Sequence, residues 1–234
     1  MNSRERFRTR FGKERVVLPV IHLLDWEQAE RNVTLARAVG ADGVWLISHG
    51  EVHQSVVIKW QKRLMESTGW DNIGVNLLGV DTAAVFAQVD ARGMGVWADN
   101  AGVTDEDTGE AERINPCRKA LVSGLYFGGV SFKYQAAVKN LSDVARAAAA
   151  YVDVITTSGP GTGKAADKAK LVTLREAVPN HPQALASGIT PENAADYLPN
   201  VNALLVATGI NRTDDFHNID EAKLTALVQV VQAF

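Results

Sequence analysis

Eight short apolar runs recur at similar intervals along the chain: VVLPVIHL (16–23), GVWLIS (43–48), NIGVNLL (72–78), MGVWAD (94–99), GGVSFKY (128–134), VDVITTS (152–158), PQALAS (182–187) and NALLVAT (202–208). Each is nearly continuous in apolar character and rich in Val, Ile and Leu, as parallel strands covered on both faces must be. Segments with apolar positions at three-to-four spacing lie between most of them, among them WEQAERNVTLARAVG, VIKWQKRLMESTG, DTAAVFAQVDARG and LSDVARAAAAY. Several end at or near glycine, the common helix stop. The order strand, helix, strand, helix is that of parallel βαβ units. Eight such units, followed by the amphipathic EAKLTALVQVVQAF, predict an α/β fold in the form of a closed (β/α)8 barrel rather than an open doubly wound sheet.

The 234 residues contain no linker or low-complexity tract, so residues 1–234 read as one domain. Apolar residues at 46% and charged residues at 22% are ordinary for a globular chain. A net charge of −3 argues against a broad grip on nucleic acid. The lone Cys117 excludes an intrachain disulfide and a zinc ribbon, and points to a reducing cytoplasm. No apolar run approaches the roughly 20 residues that span a bilayer. The opening MNSRERFRTRFGKERVV lacks the apolar core of a signal peptide. Residues 1–15 read instead as a leader with a short helix covering the barrel bottom. Barrels of this kind often associate, and the aromatics outside the runs fit a homo-oligomer.

In such a barrel the chemistry sits at the C-terminal ends of the strands, with phosphate held after the seventh and eighth. The stretch LASGITPENAADYLPNVNALLVATGI (185–210) ends two strands in a small polar residue followed by glycine, Ser187-Gly188 and Thr208-Gly209. Between them Thr190 and Pro191 read as the N-cap and first position of a helix. Uncovered backbone N–H groups beside a helix N-terminus make an anion pocket, with Ser187, Gly188, Ile189, Thr208, Gly209 and Ile210 as its phosphate-binding residues.

The other strand ends supply polar groups. Asp99 is the best candidate for general base, and Asn100 beside it is placed to orient a substrate hydroxyl. Lys133, at the end of the fifth run, can serve as a point charge for an anion or as an amine nucleophile. His22 completes the catalytic set. Substrate contacts are expected from His49, Glu51 and His53 after strand two, from Asn76 in strand three, and from Thr156, Ser158, Gly159, Gly161 and Thr162 around TTSGPGTGK. His49, Glu51 and His53 also permit a metal reading, but their spacing is not His-Glu-x-x-His, and no metal is assigned. GPGTGK has one residue too few between its glycines for a Walker A loop, and Ala165 stands where that loop needs Ser or Thr. It reads as a glycine-rich lid. With the dinucleotide fingerprint G-x-G-x-x-G absent after strand one, no cofactor is expected. His181 and His217 read as surface positions.

Val16–Leu23 with His22, DGVWLIS, IGVNLL, the lysine-bearing fifth run, DVITTSGPGTGKAAD, ASGITPENAADYL and LLVATGI together resemble the BtpA/SgcQ family of TIM-barrel proteins over most of the chain. The chain departs from that family's pattern at SHGEVHQS after strand two and at LLDWEQAE after strand one, where substrate is selected. The resemblance implies a TIM barrel related to the ribulose-phosphate-binding type. It also implies either a role in sugar metabolism or, as for members linked to photosystem I biogenesis, a non-catalytic assembly factor.

The leading expectation is therefore an enzyme acting on a small phosphorylated metabolite, a phosphosugar or a phosphoribosyl or nucleotide compound, by isomerisation, lyase chemistry or glycosyl transfer. A non-catalytic biogenesis factor is the second reading. A metal-dependent lyase using His49, Glu51 and His53 is the third.

Overall fold

A computed structural model describes residues 1–48, 50 and 52–234. Strands β1 (Val16–His22), β2 (Val44–Ile47), β3 (Ile73–Asn76), β4 (Gly95–Ala98), β5 (Leu125–Gly129), β6 (Val154–Ser158), β7 (Gln183–Ala186) and β8 (Ala203–Val206) pair in sequence order. Every neighbouring pair is parallel and β8 returns to β1, so the sheet closes into the barrel that the spacing predicts. Around it run α2 (Trp26–Ala38), α3 (Gln54–Thr68), α4 (Thr82–Phe86), α5 (Gly109–Ala120), α6 (Leu141–Ala148), α7 (Lys168–Ala177), α8 (Ala194–Tyr197) and α9 (Glu221–Ala233). Their apolar faces and the outward strand residues form one buried layer, and the inward strand residues form a second.

Aromatic rings fill the interior. Trp45 is fully buried, 4.9 Å from the Phe127 ring and 6.0 Å from Trp97, and Trp97 lies 6.0 Å from Phe132. Edge-to-face pairs of this kind add about 0.5–1.5 kcal/mol beyond burial. Gly74 is the partner of Trp45 in the β2–β3 register, and any β-carbon at Gly74 would overlap the indole.

A helix α1 (Ser3–Phe11) closes the N-terminal end, as expected of the leader. Its start is a capping box, with the Asn2 side chain accepting from Glu5 N (2.9 Å) and the Glu5 carboxylate accepting from Asn2 N (2.8 Å). Phe7 and Phe11 enter the interior cluster with their rings 4.9 Å apart. Arg6 donates to the Leu121 (3.0 Å) and Gly124 carbonyls and pairs with Asp153, which also pairs with Arg118 (2.6 Å). The leader is therefore stapled to the β4–β5 side of the barrel bottom.

Four local expectations need correction. β5 begins at Leu125 and ends at Gly129, so the GGVSFKY run is mostly the turn that follows the strand. Gly129 packs so closely on the Asp99 carbonyl that a β-carbon there would overlap it. The helix after β7 is only the four residues of α8: Thr190 and Pro191 open a looser turn, and Asn193 is the N-cap. The long pattern DTAAVFAQVDARG contracts to the five residues of α4. His181 and His217 are half-buried rather than on the surface, and burial lowers the His181 pKa to about 4.

Phe7→Ala removes the larger part of the plug. It is expected to lower the unfolding free energy by about 3–5 kcal/mol while the folded far-UV spectrum is unchanged. Urea titration checks this, and an unchanged midpoint would show that α1 is only an appendage.

Candidate active site

At the C-terminal ends of the strands lies a cavity of about 440 Å³. Its floor is carbon from the barrel interior, namely Val20, Ile47, Trp97, Ala186 and Leu205. Polar groups from six strand ends stand around it: His22 at the end of β1, Asp99 after β4, Lys133 after β5, Thr162 after β6, and Ser187 and Thr208 after β7 and β8.

Asp99 is half-buried, and burial raises its carboxyl above the ordinary carboxylate range. A hydrogen bond from Asn76 Nδ2 to Asp99 Oδ1 (2.9 Å) and the charge of Lys133 oppose that rise without cancelling it. Gln135 Nε2 donates to the Asp99 carbonyl (2.7 Å), and the close approach of Gly129 fixes the same peptide from the other side. A carboxylate held this way is a stronger base than a solvated one.

Lys133 sits in the turn after β5, where Ser131 (φ 47°) and Tyr134 (φ 65°) adopt the left-handed backbone that side chains disfavour. Its backbone N–H donates to Ser158 Oγ (2.7 Å), and its Nζ reaches Thr162 Oγ1 (3.2 Å) in the β6 loop. Lys170 of α7 braces the turn from outside, with Nζ donating to the carbonyls of Ser131 and Ser158 (3.0 Å to the latter). Desolvation lowers its pKa to about 8.

The loops after β6, β7 and β8 interlock through glycine. A β-carbon at Gly188 would overlap the Lys164–Ala165 peptide, one at Gly159 would overlap the Lys164 carbonyl, and one at Gly209 would overlap the Ile189 carbonyl. Ser187, a non-glycine residue, takes φ 79° beside Gly188 at φ 67°. Asn193 ties the loop on its carbonyl side, donating to Gly188 O (2.9 Å) and accepting from Thr190 N (2.8 Å). The Gly188 and Ile189 N–H groups donate to no described residue, and both residues line the cavity.

His22 is buried at the cavity edge, with Phe216 packed on its ring at 4.0 Å. Its carbonyl accepts from Gln28 Nε2 (3.1 Å) and is 3.0 Å from His217 Nδ1, which ties β1 to the loop before α9.

Several expected contacts lie elsewhere. Asn76 reaches the cavity only through Asp99. The Asn100 side chain accepts from Gly102 N (2.9 Å), capping its own turn instead of orienting a substrate. His53 is the N-cap of α3, its Nδ1 accepting from Ser55 N, and it is not among the residues that line the cavity. Ser158 is occupied by Lys133 N and its neighbour's carbonyl, and Gly159 is packed against Lys164. Thr156 is fully buried within the barrel. Gly161 lies beside the Tyr134 hydroxyl, outside the lining residues. Ile210 N–H is used on the Ala207 carbonyl (3.0 Å), so it is not a phosphate donor, and Gly209 serves by close packing. α8 is too short to contribute a helix dipole. His49 and Glu51 lie outside the described residues, and among the described residues no cluster of metal-ligating side chains forms. Sequence reasoning missed Gln135, Lys170, Asn193 and Phe216, which touch the site through backbone carbonyls and a ring face. The only signals were an amide in the turn after β5 and the Asn in TPEN.

The depressed Lys170 pKa has a thermodynamic consequence. Between pH 8 and about 10.5 the unfolded chain holds a proton on Lys170 that the folded chain has shed, so the Lys170 contribution to stability rises with pH across that window and is flat above it. The gain is on the order of 1–3 kcal/mol. Comparing urea unfolding at pH 7.5 and about 9.5, below the range where buried Tyr126 titrates, checks this, and Lys170→Met is expected to remove most of the rise.

No curated protein matches the chain in sequence. Among solved structures, it is similar to phosphoribosyl anthranilate isomerase from Thermus thermophilus (TM-score 0.64, 18% identity, covering 93% of this chain and 98% of that one). It is also similar to (S)-3-O-geranylgeranylglyceryl phosphate synthase from Thermoplasma acidophilum in complex with sn-glycerol-1-phosphate (TM-score 0.66, 11% identity, 100% of both chains). A third is tryptophan synthase from Mycobacterium tuberculosis (TM-score 0.68, 13% identity, 98% of this chain and 96% of that one). At these identities the likeness is one of fold. The sequence pattern of the BtpA family matches residues 63–233, well over half of the chain, and the protein belongs to the BtpA family.

Proposed function

We propose that the protein is an enzyme acting on a small phosphate ester, a phosphosugar or a phosphoribosyl or nucleotide compound. The observation that carries this reading is the meeting, around one cavity, of a base with a raised pKa, an ammonium group and two backbone N–H groups without described partners. Phosphate is assigned to Gly188 and Ile189, with Ser187 and Thr208 as hydroxyl donors and Lys133 as counter-charge. Asp99 is the acid or base, and His22 is placed to orient the reacting end. Similar structures fit the same use of the fold: one is named for a phosphoribosyl substrate and another holds sn-glycerol-1-phosphate. Isomerisation, lyase chemistry and glycosyl transfer can all use this pair of charges.

Thermal unfolding with ribose 5-phosphate and AMP, each against its unphosphorylated parent, tests the reading. A ligand at about a hundred times its Kd adds roughly 2.7 kcal/mol of stability. The expected result is a phosphate-dependent shift that Lys133→Met weakens at least tenfold in affinity and that rising salt weakens further. Asp99→Asn is expected to keep the shift while lowering turnover by about 10²-fold or more. The acid limb of the wild-type rate profile should lie above the usual carboxylate range, because the base works only when deprotonated. No phosphate-dependent shift across such a panel would favour the non-catalytic assembly-factor reading.

A further inference from the structure

The polar groups of the cavity stand at its rim, while its floor and one wall are carbon. Val20, Ile47, Trp97, Ala186 and Leu205 belong to the buried interior cluster, and Leu78, half-buried in the turn after β3, packs against it from the side. Among the described lining residues, the charged or hydroxyl-bearing side chains come from the strand-end loops, apart from His22 at the last position of β1. A bare phosphosugar carries a hydroxyl on nearly every carbon. Seated here, its phosphate would meet the β7 and β8 loops, and its remaining hydroxyls would face indole and aliphatic carbon. Each such hydroxyl gives up its bonds to water, and among the floor residues only the buried, unpartnered Trp97 indole N–H could offer one in return. A flat or aliphatic group has the opposite balance, because the floor removes its surface from water without leaving a polar atom unpaired.

We infer that the ligand of this cavity is a phosphate monoester whose body is aromatic or otherwise apolar, seated on Trp97, Ile47 and Leu205, rather than a free polyol phosphate. The inference rests on the phosphate reading above and narrows it. The phosphate lies at Gly188 and Ile189, the apolar body covers the carbon floor, and the polar atoms of the reacting part are confined to the edge that His22 and Asp99 share. An apolar pocket rejects a single added hydroxyl, like a single added or missing methylene, by only about 10- to 200-fold, but a polyol phosphate strands several hydroxyls at once and their costs accumulate. The site should therefore accept a range of ring sizes but few polyols.

Titration calorimetry with four probes decides the matter: inorganic phosphate, ribose 5-phosphate, 1-naphthyl phosphate and 1-naphthol. The expected result is that 1-naphthyl phosphate binds at least tenfold more tightly than ribose 5-phosphate, inorganic phosphate and 1-naphthol. Leu78→Ser sits on the half-buried side wall, where the fold tolerates a change. It should weaken 1-naphthyl phosphate several-fold and leave ribose 5-phosphate unaltered, while Lys133→Met should weaken both phosphate esters. If ribose 5-phosphate binds as tightly as the aryl ester, the apolar body is wrong and the phosphate reading survives. If 1-naphthol binds as tightly as 1-naphthyl phosphate, the phosphate reading fails and this inference fails with it. If none of the four binds to protein whose unfolding is cooperative, both are overturned.

Discussion

The packing of Trp45 over Gly74 sets the height at which the barrel stops being core and becomes a site. An indole at that position fills the width left by the missing side chain on β3, and Phe127 and Trp97 close around it edge to face. Below these rings the interior is filled by aliphatic side chains and by the two phenylalanines of α1. Above them the inward positions are His22, Ile47, Asn76 and the first residues of the loops, and the cavity begins there. A smaller residue at 45 would deepen the cavity into the core, and a larger one at 74 would force the indole upward into it. The aromatic layer thus serves the core and the shape of the cavity together: Trp97, packed on Trp45, is also part of the cavity floor.

A second constraint acts at the loops. Those after β6, β7 and β8 approach one another at glycine positions where no side chain fits, so their relative placement is fixed by backbone contact rather than by flexible side chains. Ser187 in the left-handed region costs on the order of 1 kcal/mol and persists because Asn193 and the Lys164–Ala165 peptide hold the chain on both sides. The chain so held lines the cavity with Gly188 and Ile189, whose N–H groups donate to no described residue. The same logic applies after β5, where Lys170 holds two carbonyls and keeps Lys133 within reach of Thr162.

The fold was legible because its signal repeats. Eight apolar runs with helical segments between them admit few arrangements, and an error of three residues in one run does not alter the topology. β5 shows the size of such an error: the strand is LYFGG, three residues upstream of GGVSFKY, and Gly129 ends it against the Asp99 carbonyl. The site was legible only in outline. His22, Asp99 and Lys133 could be placed because strand ends converge in a barrel, and the structure sets them around one cavity. Asn100 and His53 could not, because a polar side chain beside a strand end can turn to its own backbone as readily as to a ligand, and here both do. Lys170 was illegible for the converse reason: on a helix surface it reads as solvated, and only the tertiary fold brings two carbonyls to it.

The balance of charges at Asp99 follows from these constraints. Burial raises the carboxyl, whereas Asn76 and Lys133 lower it, and burial is the larger effect. Lys133 could offset burial fully only in direct contact, and the bond of its backbone to Ser158 and of its ammonium to Thr162 directs it toward the β6 loop instead. An ammonium so directed is shared between the base and the edge of the cavity where phosphate is assigned. A bound phosphate would draw the Lys133 charge toward itself, relieve Asp99 of part of its stabilising partner and raise the carboxyl further. A ligand carrying the phosphate would therefore strengthen the base that acts on its other end, while one lacking it would meet a weaker base in the same geometry. The dependence of rate on the phosphate would then exceed its contribution to binding alone.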